Sequence, residues 1–384
     1  MPTAVQSDTL ERPREVDVGA IESEFMQLWK RATDDREGAE GGLAVRACTL
    51  NFVVVTEDAA RLQAIEQLVG AVTLEHPGRI FLIHVKRGNV PDKLTAWISA
   101  RCVVPVPGGK QVCCEQITLQ ATGREVSKLP SIVASLLVPD IPTILLWKGE
   151  VDAADPLLAS LSELVDRLLI DSSEEPDAIR VLTSWVNLFS ARGEDVLRGD
   201  LAWAHVTPWR AALAQTFSLQ ATRAYLDQIA GLQIAISTTS HPAHSGASQA
   251  LLVISWLADR LHWSVSTRVG GSSAGGYEVS LNAHGGPIAC TVIPRPATIP
   301  GPGGIEEIRM TTRPGVVISW ASGEERSCIR STVTTPDGHR SEGALWARDR
   351  DEMSIVAQEL EVLDRDPQYI AAIQVLRSLL KAGR

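Results

Sequence analysis

The apolar positions change period several times along the chain, and each change marks an element. Residues 1–15 are polar and are expected to be disordered. Val18, Ile21, Phe25, Leu28 and Trp29 then recur at helical spacing behind Asp17, a residue suited to cap a helix. The charged, glycine-bearing run 34–42 reads as a linker. Segment 46–56 is a strand rich in β-branched residues, and Glu57 and Asp58 open a helix carrying Leu62, Ile65, Leu68 and Val69. Segment 79–85 is a second buried strand. Segments 94–104 and 111–121 are two more, joined by a proline- and glycine-containing turn at 105–109.

A helix over 126–137 must stop at Pro139 and Pro142, which cannot lie inside one. Thr143, Ile144, Leu145, Leu146 and Trp147 follow without alternation, the pattern of a parallel strand buried on both faces. Asp155 and Pro156 start a helix as cap and first-turn proline. Leu157, Leu158, Leu161, Leu164, Val165 and Leu168 continue at helical spacing, and Leu169 and Ile170 then lead, as a short strand, into Asp171, Ser172 and Ser173. Alternating strands and helices over 44–171 predict an α/β domain with a mostly parallel sheet.

After Ser173 the pattern is mainly helical, with Ile179, Leu182, Trp185 and Phe189 on one helix. Thr207 before Pro208 predicts an N-cap and a helix holding Trp209 and Arg210 in its first turn. Segment 232–237 reads as a strand and 241–246 as a hinge. Beyond it come an apolar helix over 247–261, short strands at 263–268, 277–283, 288–294, 305–311, 316–320 and 326–334, a turn at 336–338, and helices over 351–363 and 367–380. That half is α+β with an antiparallel sheet. The expected division is a polar N-terminus with one amphipathic helix at 1–43, an α/β domain with a helical extension at 44–240, and an α+β domain at 247–384.

A net charge of −10 and the absence of a basic run argue against nucleic acid as a partner. No stretch approaches the roughly 20 apolar residues of a membrane span, and the first residues lack signal-peptide character, so a cytoplasmic location is expected. Six cysteines among 384 residues do not suggest a disulfide framework. Ten tryptophans beside five phenylalanines and three tyrosines form a skewed aromatic set.

The glycine-rich run 270–276 precedes a strand-like segment rather than a helix, so it reads as a hairpin loop and not a phosphate cradle. No Walker motif and no GxGxxG occurs, and no cofactor is expected. Adjacent Cys113 and Cys114 on one strand point to opposite faces, and His241 and His244 lack partner ligands, so no metal is expected. Ser172, Ser173, His205 and Asp171 lack the Gly-x-Ser-x-Gly elbow of a nucleophile. Cys48, Cys102, Cys113 and Cys114 fall on strands of one sheet; redox control through Cys113 and Cys114 requires exposed, low-pKa thiols or a pair at bridging distance.

The run Leu137-Val-Pro-Asp-Ile-Pro-Thr-Ile-Leu-Leu-Trp147, then Asp155-Pro156, Ile170-Asp-Ser-Ser173, Asp200-Leu-Ala-Trp203, Thr207-Pro-Trp-Arg210 and Leu251-Leu-Val-Ile-Ser-Trp-Leu-Ala-Asp-Arg-Leu261 with Trp263 resembles the glucose-6-phosphate dehydrogenase assembly protein family, OpcA. The resemblance implies a bacterial, non-catalytic activator that binds glucose-6-phosphate dehydrogenase, promotes its active oligomer and supports NADPH supply by the oxidative pentose phosphate pathway. Trp147, Asp171, Ser172, Ser173, Asp200, Trp203, Trp209 and Arg210 are the candidate partner-binding residues. The first two groups stand where ligands gather in open parallel sheets, and Trp and Arg dominate interface hot spots. The rival reading is an α/β enzyme, or a sugar-phosphate or nucleotide sensor, using the carboxyl edge of the first sheet.

Overall fold

The computed structural model describes residues 7–34, 44–103, 111–191, 196–238, 246–273, 275–297, 303–323, 328–347 and 351–381. The predicted linker 34–42, the turn 105–109 and the histidines of 241–246 lie almost wholly outside them. In chain order the elements are β1 (Ser7–Val16), α1 (Ile21–Asp34), β2 (Ala44–Arg46), β3 (Leu50–Thr56), α2 (Leu62–Glu75), β4 (Gly78–Lys86), β5 (Lys93–Val103), β6 (Gln111–Thr122), α3 (Leu129–Leu136), β7 (Thr143–Lys148), α4 (Pro156–Ser162) and β8 (Arg167–Ile170). Next come α5 (Ala178–Ala191), β9 (Leu197–Asp200), α6 (Leu201–His205), α7 (Thr207–Ser218), α8 (Gln220–Arg223), β10 (Ile229–Thr238) and α9 (Gly246–Arg260). The rest are β11 (Ser264–Val265), β12 (Gly270–Gly271), β13 (Tyr277–Ala283), β14 (Gly286–Pro296), β15 (Ile305–Thr312), β16 (Val317–Ser322), β17 (Cys328–Thr334), β18 (Arg340–Trp346), α10 (Glu352–Glu361) and α11 (Pro367–Leu380).

Every residue of β3, β7 and β8 is buried, as their unbroken apolar pattern requires. They stand with β4 and β6 in the parallel core of a nine-stranded sheet, ordered β1-β5-β6-β4-β3-β7-β8-β9 with β2 added beside β6. β5 and β1 extend one edge antiparallel. Residues 7–16 therefore form a paired strand, not a disordered tail. Their polarity suits an edge position, where one row of backbone groups is satisfied by β5. Asp17 accepts from Gly19 N at 2.8 Å and so starts the turn that leads into α1.

α1 is held to this sheet by a buried ionic cluster. Arg79 and Glu115 are both almost fully buried and pair at 2.6 Å. Arg46 approaches Glu115 at 2.9 Å, Trp29 Nε1 donates to it at 2.7 Å, and Glu22 on α1 pairs with Arg79. Arg79 also donates to the Leu136 carbonyl at 2.6 Å, where α3 ends. α4 ends at Ser162, before Leu164, Val165 and Leu168; the last of these is a strand residue on β8. A buried strand and a helix face show the same local run of leucines, so spacing alone extends the helix too far. α10 returns to this unit, packs on α2 and is fastened by Lys148 to Glu352 and by Arg167 to Glu359.

The chain falls into two compact units: Met1–Ile170 with Gly193–Arg198 and Glu352–Leu363, and Asp171–Arg192 with Gly199–Asp351 and Asp364–Arg384. The expected boundary near residue 240 is thus replaced by one at Ile170, and a helix from the C-terminal region belongs to the first unit. β10, expected in the first domain, is a central strand of the second sheet, ordered β11-β13-β14-β10-β15-β16-β17-β18 with β12 beside β13. It runs parallel to β14 and antiparallel to β15. β18, unseen in the sequence because its side chains are almost all exposed, closes the row. β12 pairs antiparallel with β13, so the glycine-rich run is a hairpin arm as expected. α9 is buried on every side from Gly246 to Ala258. Among the described residues no helix is long and apolar enough to cross a membrane.

Candidate functional site

The carboxyl edge of the first sheet is occupied by paired charges. Arg87, just past β4, meets Asp155 at 2.6 Å and Glu57 at 3.1 Å. Asp155 also caps α4, accepting from Leu157 N at 2.8 Å, as its sequence position predicts. Burial raises the Glu57 carboxyl above its ordinary range, and Arg87 opposes that rise. The connection from β3 to α2 opens with Glu57 and Asp58 and continues through a single turn at Ala59–Arg61, with Asp58 accepting from Ala60 N at 2.9 Å. Trp147 on β7 is buried, and its Nε1 donates to the Glu150 carbonyl at 3.0 Å. Its cross-strand neighbour is Ile170, the residue before Asp171.

The second unit gathers the remaining candidates. Asp171 Oδ1 accepts from Ser173 N at 3.0 Å and from Ser173 Oγ at 2.5 Å, closing a tight turn. Asp200 Oδ1 accepts from Ser172 N at 3.0 Å and Ala202 N at 2.9 Å, so one carboxylate both caps α6 and ties it to that turn. Ser248 Oγ on α9 donates to the Ser172 carbonyl at 2.8 Å. Asp171, Ser172, Ser173 and Asp200 are therefore one buried polar knot. Burial pushes the Asp200 carboxyl up to about 7; Asp171 adds to the rise and Ser172 opposes it.

Trp203, on α6, meets the start of α11. Its Nε1 donates to Asp366 Oδ2 at 2.7 Å, while Asp366 Oδ1 caps α11 through Gln368 N at 2.9 Å and Tyr369 N at 3.0 Å. Its ring lies 5.3 Å from Tyr369, whose hydroxyl accepts from Trp185 Nε1 at 2.7 Å. Phe189 meets Trp185 and Tyr369 edge-on. The Arg210 guanidinium stacks 3.6 Å over the Trp203 ring and donates to Thr207 Oγ1 at 2.9 Å. α7 begins at Thr207 itself with Val206 as the cap residue, so Thr207 is one position inside the helix rather than its cap.

The contact between Trp203 and Arg210 is not visible in the sequence, and neither are the parts played by Asp366 and Tyr369. An Asp-Pro pair at 366–367 was the available signal, identical in kind to the one read at 155–156. Trp147, Trp203 and Trp209 are buried, and Arg210 is half-exposed. A side chain that grips another protein must reach solvent, and of these four Arg210 does so most.

Of the two cysteines considered for redox control, one is cross-linked and the other is buried. Cys113 is bonded to Cys102, its directly opposed residue across β5 and β6. Cys114, on the other face of β6, is buried and donates to the Thr73 carbonyl at 3.7 Å; burial pushes its thiol up to about 11, the reverse of a reactive cysteine.

Two family models match the chain: the glucose-6-phosphate dehydrogenase subunit N-terminal domain over residues 69–186 and the corresponding C-terminal domain over 197–373. The chain is 21% identical over 334 residues to the OxPP cycle protein OpcA of Synechocystis, covering 67% of each chain. It is 27% identical over 198 residues to OpcA of Nostoc punctiforme, covering 51% of this chain and 40% of that one. Among solved structures, the oxidoreductase yhhX matches with a TM-score of 0.45 at 8% identity, over 86% of this chain and 96% of that one. An oxidoreductase domain protein from Kribbella flavida matches with a TM-score of 0.44 at 12% identity, over 87% of this chain and 96% of that one. Likeness at that level decides nothing about activity. The two family models together span most of the chain and contain both the polar knot and the Trp203–Arg210 stack, so the chain belongs to the OpcA family of glucose-6-phosphate dehydrogenase assembly proteins.

Proposed function

We propose that the protein is a non-catalytic activator that binds glucose-6-phosphate dehydrogenase and promotes its active oligomer. The observation that carries this reading is the family match through both units. The chemistry of the sites is in keeping with it. A dinucleotide fold needs glycines and free backbone N–H groups at its first strand–helix turn, where the pyrophosphate lies. Here the connection 57–61 has no glycine, opens with Glu57 and Asp58, and its one cation, Arg61, pairs with Asp58 at 3.3 Å. Arg87 and Lys148, the cations a sugar phosphate would seek at this edge, are each engaged by carboxylates. Asp171 and Asp200 act as turn and helix caps, aligned on backbone N–H groups.

Activation then follows from differential affinity: a protein that binds the active oligomer more tightly than its dissociated subunits raises the oligomer's population by that ratio. Arg210 is the candidate contact, held flat on Trp203 so that little rotamer freedom is lost on binding. The test is a titration of purified dehydrogenase with this protein while both mass and rate are followed. Activation with a rise in mass is expected, and Arg210→Ala should weaken it at least tenfold while the thermal melt stays cooperative. A dehydrogenase indifferent to the protein sinks the reading; unchanged activation by Arg210→Ala removes Arg210 from the contact.

A further inference from the structure

β5 and β6 of the first sheet have two unlike faces. On one, Ala96, Ile98, Ala100, Ile117, Leu119 and Ala121 are completely buried, as a core requires. The strand register places Thr95, Trp97, Ser99 and Arg101 of β5 on the other, with Thr118 opposite Trp97 and Gln116 opposite Ser99. None of these six is exposed. Thr95, Ser99 and Gln116 keep only 6%, 4% and 4% of their surface, while Trp97, Arg101 and Thr118 are half-buried around them. The deeper polar groups are therefore sunk between longer side chains that still reach solvent.

A solvent-facing strand leaves such groups in water, and a core pairs them with each other. This face does neither. Among the described residues, the one side-chain hydrogen bond of the set runs from Gln116 Nε2 to Thr118 Oγ1, at 3.2 Å. Gln116 Oε1 and Thr95 Oγ1 are buried and make none. Leaving a buried donor or acceptor unmatched costs its full desolvation, which is why such atoms are rare and call for a cause.

Arg101 adds charge to the same face. It has no carboxylate partner among the described residues, and its guanidinium lies against Gly70 of α2, where a Cβ would come within 2.5 Å of Nη1. A glycine weakens a helix interior; at this position it leaves the notch that the guanidinium fills. The groups together suit one kind of molecule. An indole face accepts the C–H face of a sugar ring, hydroxyl and amide groups match its hydroxyls, and a guanidinium matches a phosphate or carboxylate. Trp97, Ser99 and Arg101 occupy alternate positions and so span about 13 Å of strand, room for a single sugar and its acidic group.

We infer that this face of β5 and β6 binds a monosaccharide carrying an acidic group. The ring lies on Trp97, its hydroxyls meet Thr95, Ser99 and Gln116, and its phosphate or carboxylate meets Arg101.

The inference does not rest on the dehydrogenase reading, and its test uses the full chain alone. In calorimetric titrations, glucose 6-phosphate or gluconate should bind saturably and at least tenfold more tightly than glucose or inorganic phosphate. Whichever of the two binds better shows whether the acidic group is a phosphate or a carboxylate. Arg101→Gln should remove the preference for the charged sugar. Gly70→Ala, which pushes the guanidinium from its notch, should do the same. Thr95→Val and Gln116→Leu should each weaken binding at least tenfold yet melt no lower than the wild type, since each removes an unmatched buried atom. Failure of both charged sugars to bind at millimolar concentration overturns the inference. So does inorganic phosphate that binds as well as they do, which means an adventitious ion only. Arg101→Gln protein that keeps the preference counts against it equally, as do Thr95→Val and Gln116→Leu proteins that bind like the wild type. A lower melting temperature in both of these would mark the two side chains as structural and overturn it too.

Discussion

The two sheets treat polar groups in opposite ways. The first is covered on both faces, and the charge it buries is paired: Arg79 meets Glu115, Glu22 and a carbonyl, leaving its donors satisfied. The second carries Glu278, Arg309 and Glu342 at exposed positions, and Arg295 meets Glu307 at 2.8 Å on its outer side. A sheet sealed on both sides tolerates ions only as closed networks, because there is no water to complete them. A half-open sheet can leave such groups in solvent and use them for recognition. The difference separates a stabilising region from one suited to contact.

Breaking the first network should have the largest effect. Arg79→Ala leaves Glu115 buried and short of its main partner, and a loss of about 3–5 kcal/mol is expected for such a removal. Chemical unfolding measures it; a loss below about 1 kcal/mol means the cluster is wetter than its burial indicates. Cys102→Ser removes the cross-link of β5 to β6, which closes a loop of 11 residues in sequence separation. About 3 kcal/mol should go under oxidising conditions, and nothing further when reductant is added. Equal stability of wild type and variant in both conditions would show that the cysteines are reduced in the working protein.

The smallest effect, and the sharpest contrast with Arg79, concerns Asp200. Its folded pKa of about 7 lies above the unfolded value of 3.8. Folded protein therefore holds a proton that the unfolded chain has released, and stability falls as pH rises from about 4 to about 7, then levels off. Asp200→Asn keeps the cap and removes the titration. Between pH 5 and 6 the wild type should lose about 1.4 kcal/mol per pH unit relative to the variant. Parallel pH profiles of the two proteins would show that Asp200 stays ionised in the fold.

Much of this architecture could be read from local pattern. The buried parallel strands stand out because side chains on both faces are apolar, so no alternation blurs them. Asp155 and Asp17 announce their helices because a cap needs only its next two or three residues. β18 could not be read, since Arg340, Ser341 and Glu342 face solvent and leave no period. Nor could the unit boundary at Ile170, because a chain that leaves one core and enters another does so without a change of composition. The site was half legible: Asp171, Ser172, Ser173, Asp200, Trp203 and Arg210 were chosen as candidates, while their contacts were not.

What the sequence alone determined is the kind of each element and its family, because periodicity, caps and motif order are properties of neighbours along the chain. Only the tertiary structure decided that Asp200 holds Ser172 across 28 residues, that Trp203 meets Asp366 across 163, and that Trp320 reaches Thr216 across 104. Those pairings are set by which surfaces the whole chain can bury at once, a choice that no local window contains.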